Sequence, residues 1–362
     1  MEDHVPTLGP YLAPGSVGAV VATTAHAFGW MGVDLFLVLS AYLITRLLLT
    51  EHRREGTFSL SDFFVRRILR IWPLYFFALL LGFLVFPLFG FLQAPFGSDD
   101  YRAMVTRHLI PFLTFTGTFS TAAFNYAPSR ALSLLWTISL EEQFYVLCPF
   151  FLLALLRVKR SRLPLFLVGL LTFTVLMRLY FVLAPFAHPW TWTSLPSRLD
   201  PFVLGTALAI HRMNTPADPR RAWLKVLGGV GLLVGVTCFP NITTQGIHTL
   251  WQYLAIAVAF CLMVDAAASR ASGFGHRLLA NGFSVRMGKV SYGLYVYHFI
   301  AIAVVQQYVA AHLKGALPVQ WGLFLLIAFG ITAVTALASY ALLEKPFLRL
   351  KGRYTHVKSP RS

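Results

Sequence analysis

Nine stretches of predominantly apolar residues divide this chain, near 30–49, 71–92, 133–156, 163–186, 196–211, 222–240, 248–268, 287–309 and 319–343. They approach the length of about 20 residues that an α-helix needs to cross the hydrocarbon of a bilayer. No water is available there to satisfy a backbone N–H or C=O, so each segment must pair its own backbone groups, and continuous runs of this length do so as helices. The expected fold is an all-α integral membrane protein, a polytopic helical bundle of about nine spans. With 57% apolar and only 12% charged residues, an ordinary soluble domain is excluded. Residues 1–350 are expected to form one membrane domain and 351–362 a basic cytoplasmic tail.

The net charge of +16 would suggest nucleic-acid binding in a soluble protein. Here the basic residues sit in short loops between apolar runs, where they report topology. A tenth apolar candidate lies at 105–122, and if it crossed, the basic loops would fall on opposite sides of the membrane. Treating it as a re-entrant or surface helix places 24 of the 30 Lys and Arg residues on one side, in 46–70, 157–162, 212–225, 270–289 and 345–361. That solution puts the C-terminus in the cytoplasm. Nine spans then leave the N-terminus outside, yet the first 16 residues hold three prolines and no Lys or Arg, so no cleavable signal is visible. A span is therefore expected to precede His4, with Met1 internal to a longer frame. Cys148, Cys238 and Cys261 all lie in apolar runs without CxxC spacing, which supports packing and neither a disulfide framework nor a metal site.

Charged and polar residues inside the spans carry the functional signal, because an ionised side chain at the bilayer centre costs roughly 2.5 to 3.5 kcal/mol on insertion scales. In LLWTISLEEQFYVLCPFF, Glu141 and Glu142 interrupt an otherwise uncharged run, with Tyr145 four and three positions on. They could serve as a structural ion pair or cap, or face Arg178 or Arg198 across the bundle. GWMGVDLFLVLSAYLITRLL carries Asp34 in its first turns, and PSRLDPFVLG puts Arg198 and Asp200 at the mouth of a later span. RRILRIWPLY opens a span with Arg66, Arg67 and Arg70. These either snorkel to headgroups or grip a phosphate, for which paired guanidinium forks are suited. VSYGLYVYHF sets Ser291, Tyr295 and His298 on one stripe, where the histidine is either a helix contact or a functional group. A structural membrane protein has no need of so many ionisable groups, and a transporter built from repeats would show an internal symmetry that this chain lacks. An enzyme acting on a lipid or glycan would use arginines for an anionic donor on one side and a base for an acceptor on the other.

The motifs GWMGVDLFLVLSAYLIT, FVRRILRIWPLY, LLWTISLEEQFYVLCP, SRLDPFVLG, GKVSYGLYVYH and LLEKPF, in this order, resemble those of the acyltransferase-3 membrane proteins, and the likeness runs from about residue 4 to 350. The resemblance implies ten spans and an O-acyltransferase that moves an acyl group, acetyl or another short chain, from cytoplasmic acyl-CoA to a hydroxyl of an extracytoplasmic glycan or similar acceptor. Acyl-CoA would be a co-substrate, with no permanently bound cofactor, no metal and no nucleic acid. The family carries an essential histidine late in its first span with an arginine before it; the matching histidine is His4, and the arginine falls upstream of Met1. His26 competes for that role but lies close to the next span. SAYLI stands where the family has SGYLI, and Ala41 is expected to be tolerated there. Some relatives carry a further SGNH-type hydrolase domain, whereas this chain stops 18 residues after Glu344, as in the stand-alone form.

On that basis His4 is the expected general base, with Asp34, Glu142 and His298 as further catalytic candidates. Arg66, Arg67 and Arg70 are expected to hold the coenzyme A phosphates. Glu141, Tyr145, Arg198, Asp200 and Tyr295 are expected to line the acceptor path. Direct transfer is favoured over an acyl-enzyme, because no serine or cysteine sits in a recognisable nucleophile motif. The competing reading is a membrane carrier for an acylated or anionic metabolite that makes no covalent bond.

Overall fold

The computed structural model describes residues 29–89, 103–269 and 277–350, apart from 104, 128, 185, 187, 217, 243–245, 278, 310–311 and 314–316. Its principal helices are α1 (Gly32–Glu55), α2 (Leu60–Leu80), the short α3 (Gly117–Phe124), α4 (Leu135–Arg157), α5 (Leu163–Leu183), α6 (Asp200–Asn214), α7 (Ala222–Thr237), α8 (Thr249–Ala268), α9 (Gly282–Tyr308) and α10 (Leu317–Ser339). Seven helical stretches are long and apolar enough to cross a membrane: α1, α2 continued to Leu88, α4, α5, α8, α9, and α10 continued to Leu350. The all-α polytopic membrane fold is therefore as expected. Helices α6 and α7 match the remaining two apolar runs but have only 15 and 16 residues. Helix α6 starts late because Leu195–Arg198 is a 3₁₀ turn that precedes it. Helix α7 stops at Thr237, three residues before Pro240.

Contacts divide the chain into two compact units, one of residues 27–58 and 139–281, the other of 1–26, 59–138 and 282–362. The first unit comprises α1, most of α4, and α5 to α8. Helix α1 ends where Gly56 takes a left-handed φ of 74°, its N–H reaching His52 O at 2.9 Å, a backbone state that glycine adopts without penalty. Apolar side chains of α1, α6, α7 and α8 meet in one cluster that includes Val38, Tyr42, Leu208, Leu233, Ile256 and Phe260. Phe144 of α4 stacks on Phe202 of α6 with ring centroids 4.1 Å apart. Helix α5 is different. Its buried residues are Thr174, Arg178 and Phe181, one narrow stripe, while Leu165, Val168, Leu176 and Leu183 are exposed. An outward apolar surface of this kind suits lipid and would be a liability in water.

Close approach of α1 and α6 depends on Gly205. A methyl group there would lie 2.5 Å from Val38 O, 2.8 Å from Ala41 Cβ and 3.1 Å from Tyr42 N. Ala41 itself is fully buried. The small residue that lets these helices touch is thus on α6, and it leaves room for the Ala41 methyl on α1.

In the second unit, Ser59 caps α2 by accepting from the Asp62 N–H at 3.2 Å. Helix α2 then runs into a π-helical turn, Leu81–Val85, and a 3₁₀ turn, Phe86–Leu88. The segment expected to be re-entrant or surface-bound is broken into a π turn (Val105–Leu109), one α turn (Ile110–Leu113) and α3, none longer than eight residues. Phe115 adopts φ of 56° between them, unusual for an aromatic residue, with its ring stacked on Tyr75 at 4.6 Å. Tyr75 also donates to Phe112 O at 2.7 Å. His108 is buried against Phe112 and Phe124, with Nδ1 3.2 Å from Ser120 Oγ. Burial, and secondarily the charge of Arg107, push its pKa down to about 4. Helices α9 and α10 pack closely at Gly293, where a methyl would lie 3.1 Å from Ala336 Cβ.

Replacing Gly205 by alanine forces α1 and α6 apart and is expected to cost about 1 to 3 kcal/mol, the usual range for overpacking. Thermal unfolding of the detergent-solubilised protein measures it, and Ala41→Gly in the same background should restore only part, because the Val38 carbonyl clash persists. His108 resists protonation down to about pH 4 when folded but accepts a proton near pH 6.5 when unfolded. Its contribution is therefore complete above about pH 6.5 and is lost as pH falls towards 4. His108→Gln should flatten that acid limb in a melting-temperature profile.

Candidate functional site

The fully buried polar centre of the first unit is built on α5, α6, α1 and α8. Arg178 and Arg198 are both 0% exposed, an arrangement that demands compensating charge and hydrogen bonds. Arg198 lies in the 3₁₀ turn ahead of α6, and its Nη2 bridges both carboxylate oxygens of Asp34 at 3.0 and 2.9 Å. Arg178 pairs with Asp200, the first residue of α6. Its Nε donates to Ser197 O and its Nη1 to Leu250 O, each at 2.9 Å. The ring of Tyr253 lies against both guanidiniums, 5.0 Å from Arg178 and 4.4 Å from Arg198, and Trp192 covers Arg198 at 4.5 Å. Two positive and two negative groups thus neutralise one another inside a shell of aromatic faces.

This arrangement answers where Asp34, Arg198 and Asp200 go: the structure brings them together. It also differs from one expected pairing. Glu141 and Glu142 could have faced Arg178 or Arg198, but those arginines are held by Asp200 and Asp34. Glu141 instead accepts from Ser40 Oγ of α1 at 2.5 Å, and Tyr145 Oη lies 2.6 Å from the same oxygen. Glu141 and Tyr145 are four residues apart and so share a face of α4. Glu142 is also buried. The two polar clusters share α1, with Asp34 and Ser40 about 9 Å apart along its axis at 1.5 Å per residue.

The other site candidates belong to the second unit. Arg66 is buried on α2, Arg67 lies over Phe63 at 5.7 Å, and Arg70 is exposed, so the three arginines occupy distinct environments. Tyr295 Oη hydrogen-bonds with Thr137 Oγ1 at 2.7 Å. His298 Nδ1 lies 2.6 Å from Tyr295 O. A carbonyl can only accept, so Nδ1 is the donor in this contact. Ser291, on the same stripe, is exposed and donates to Gly288 O. Glu344 ends a π-helical turn, Tyr340–Glu344, and is buried. His4 and His26 lie outside the described residues. Among the described residues no group of three His, Cys, Asp or Glu side chains could hold a metal. The cysteines are free, with Cys148 buried, Cys261 half-buried and Cys238 exposed.

Sequence alone does not mark Ser40, Trp192 or Tyr253. Each is uncharged, and only its position against a charged side chain elsewhere in the fold marks it. Chemically, the two arginine–aspartate pairs are fixed, mutually compensated charges in a dry setting, suited to holding helices in place. The Ser40 cluster offers a hydroxyl already in contact with a carboxylate.

Because Asp34 is the counter-charge of a fully buried arginine, Asp34→Ala is expected to cost about 3 to 5 kcal/mol, as breaking one partner of a buried pair usually does. The double variant Asp34→Leu with Arg198→Met should recover much of that loss, and thermal unfolding in detergent compares them.

Comparison with known proteins agrees with this architecture. The family described as an acyltransferase domain, acyltransferase 3, matches residues 3–343. A candidate O-acetyltransferase of Staphylococcus aureus strain COL is 27% identical over 339 residues, covering 88% of this chain and 52% of the relative. The O-acetyltransferase OatA of Staphylococcus aureus strain NCTC 8325 / PS 47 is 28% identical over 339 residues, covering 90% of this chain and 53% of the relative. The chain thus spans about half the length of the curated relatives it matches. No solved structure matches it. With a match over nearly all of its length and helices of membrane-crossing length throughout, this chain belongs to the acyltransferase-3 family and is a multi-pass membrane protein.

Proposed function

We propose that the protein is a membrane O-acyltransferase that takes a short acyl group from cytoplasmic acyl-CoA and esterifies a hydroxyl of an extracytoplasmic glycan or related acceptor. The observation that carries this reading is the family match over residues 3–343, joined to polar chemistry buried within helices of membrane-crossing length. Two S. aureus relatives carry names that describe an O-acetyltransferase, which supports acetyl as the group moved. A carrier would need none of the fixed hydroxyl–carboxylate contact at Ser40.

In this reading Arg66, Arg67 and Arg70 bind the coenzyme A phosphates on the cytoplasmic side, with the C-terminus on that side of the inner membrane. Arginine suits the task because its planar fork meets phosphate oxygens bidentately. The Asp34–Arg198 and Arg178–Asp200 pairs hold α1, α5, α6 and α8 in register around the reacting groups. His4 acts as general base towards the acceptor, a role that a neutral imidazole performs near physiological pH. Glu142 and His298 are further proton-handling candidates, and Asp200, Tyr145 and Tyr295 help to define the acceptor path.

The reading is tested with the full chain in lipid vesicles, supplied with labelled acetyl-CoA and a range of acceptor saccharides. Ester formation on the acceptor is expected; uptake or efflux of label with no new ester would identify a carrier. Replacing Arg66 and Arg70 by alanine should raise the apparent KM for acyl-CoA more than that for the acceptor, whereas equal changes in both would assign those arginines to structure.

A further inference from the structure

We propose that Ser40 is an acyl-accepting nucleophile, so that the acyl group rests on the protein as a serine ester between donor and acceptor. This rests on the acyltransferase reading above and departs from direct transfer, which the sequence alone favours. The geometry is specific. Ser40 Oγ donates its proton to Glu141 Oε1 at 2.5 Å, a length typical of a hydroxyl bonded to a carboxylate. With that proton committed, the contact of 2.6 Å between Ser40 Oγ and Tyr145 Oη is made by the phenol donating to a serine lone pair. Glu141 and Tyr145 are buried at 3% exposure each, and Ser40 is half-buried, so the carboxylate and phenol are sheltered from solvent.

Hydroxyls that serve structure in these helices behave differently. Thr50, Thr174, Thr332 and Thr335 each give their proton to the carbonyl one turn back, at 2.7 to 2.9 Å. Such back-bonding satisfies a hydroxyl inside its own helix and needs no partner elsewhere. Ser40 on α1 instead meets two ionisable side chains of α4. A hydroxyl in contact with a base that a further group orients is the arrangement by which enzymes activate an otherwise weak nucleophile.

The donor half-reaction balances on these groups and a thioester. Ser40 Oγ forms a bond to the thioester carbonyl carbon as its proton passes to Glu141. The C–S bond then breaks, the departing coenzyme A sulfur takes that proton from Glu141, and the products are Ser40 O-acyl ester and free thiol. In the acceptor half-reaction the incoming hydroxyl oxygen bonds to the ester carbonyl carbon, the bond to Ser40 Oγ breaks, and the acceptor's proton ends on Ser40. Tyr145 hydrogen-bonds the serine oxygen as it leaves. No oxidant, reductant or metal is required. The ester lets one acyl group wait at a fixed point after coenzyme A has gone, so donor and acceptor need not occupy the protein together.

The full chain, purified in detergent, is incubated with labelled acetyl-CoA in the absence of acceptor, quenched in acid and mapped by peptide mass spectrometry. One hydroxylamine-labile acetyl group is expected on Ser40. It should be lost in Ser40→Ala, and Ser40→Cys should carry a thioester there instead. Glu141→Gln should slow its formation roughly 10²- to 10⁴-fold, the range for loss of a general base, with the melting temperature monitored to separate this from unfolding. Transfer to acceptor that persists in Ser40→Ala, or a labelled residue other than Ser40, would overturn the proposal while leaving the acyltransferase reading intact. Absence of any acyl transfer by the unaltered chain in vesicles would overturn both.

Discussion

Two arginines with no solvent exposure, Arg178 and Arg198, set the terms for one half of this molecule. Each buried guanidinium must find an anion and acceptors for its N–H groups, or its desolvation goes uncompensated. Asp34 and Asp200 supply the anions and Ser197 O and Leu250 O further acceptors for Arg178, from three further helices and a turn, while Nε and Nη1 of Arg198 are buried without a hydrogen-bond partner among the described residues. Apolar packing alone cannot align helices sharply in a bilayer, since lipid tails are as apolar as leucine. A charge that is satisfied in only one arrangement can. Helix α5 makes the point: most of its surface is apolar and outward, and Arg178 sits in the middle of its single buried stripe. Its attachment is directional where its surface is not.

The same constraint places the reactive cluster. Asp34 fixes the start of α1 against Arg198, and Gly205 allows α6 to touch α1 at Val38, Ala41 and Tyr42. Ser40 lies between these contacts, on a helix whose height and rotation are therefore set twice over. Its hydroxyl meets Glu141 and Tyr145 at hydrogen-bond distance as a consequence of helix packing. A further ionic tie among α6, α7 and α8, in which Asp265 meets both Arg212 and Lys225, acts near the other end of α6. The unit is thus braced by charge at both ends of a short helix.

Much of this was legible from residues alone, and for a clear reason. Hydropathy reports length, and the boundaries expected for α4, α5 and α8 lie within a few residues of those observed. Charge counting removed 105–122 from the crossing helices, and the structure gives that segment only short, broken helices. Asp34, Arg198, Glu141 and Tyr145 stood out because ionisable or polar groups are rare against leucine. What the sequence left open was pairing. Nothing in the spacing says that Arg198 meets Asp34, across 164 positions, in place of Glu141. Ser40 was invisible for a related reason: a serine hydroxyl in a helix is ordinarily satisfied by its own backbone, and only a contact with another helix distinguishes the exception.

That distinction also explains why a chain with so little charge can hold so specific a chemistry. In water a serine next to a glutamate competes with solvent at every moment, and the contact is worth little. Within apolar helices the alternatives disappear, so a carboxylate brought to a hydroxyl holds it in one orientation, and the low local dielectric strengthens the bond between them. The cost of burying Glu141 in an otherwise uncharged run is then the condition for its use. Glu141 and Tyr145 lie one turn apart on α4, so that a single hydroxyl on α1 meets both.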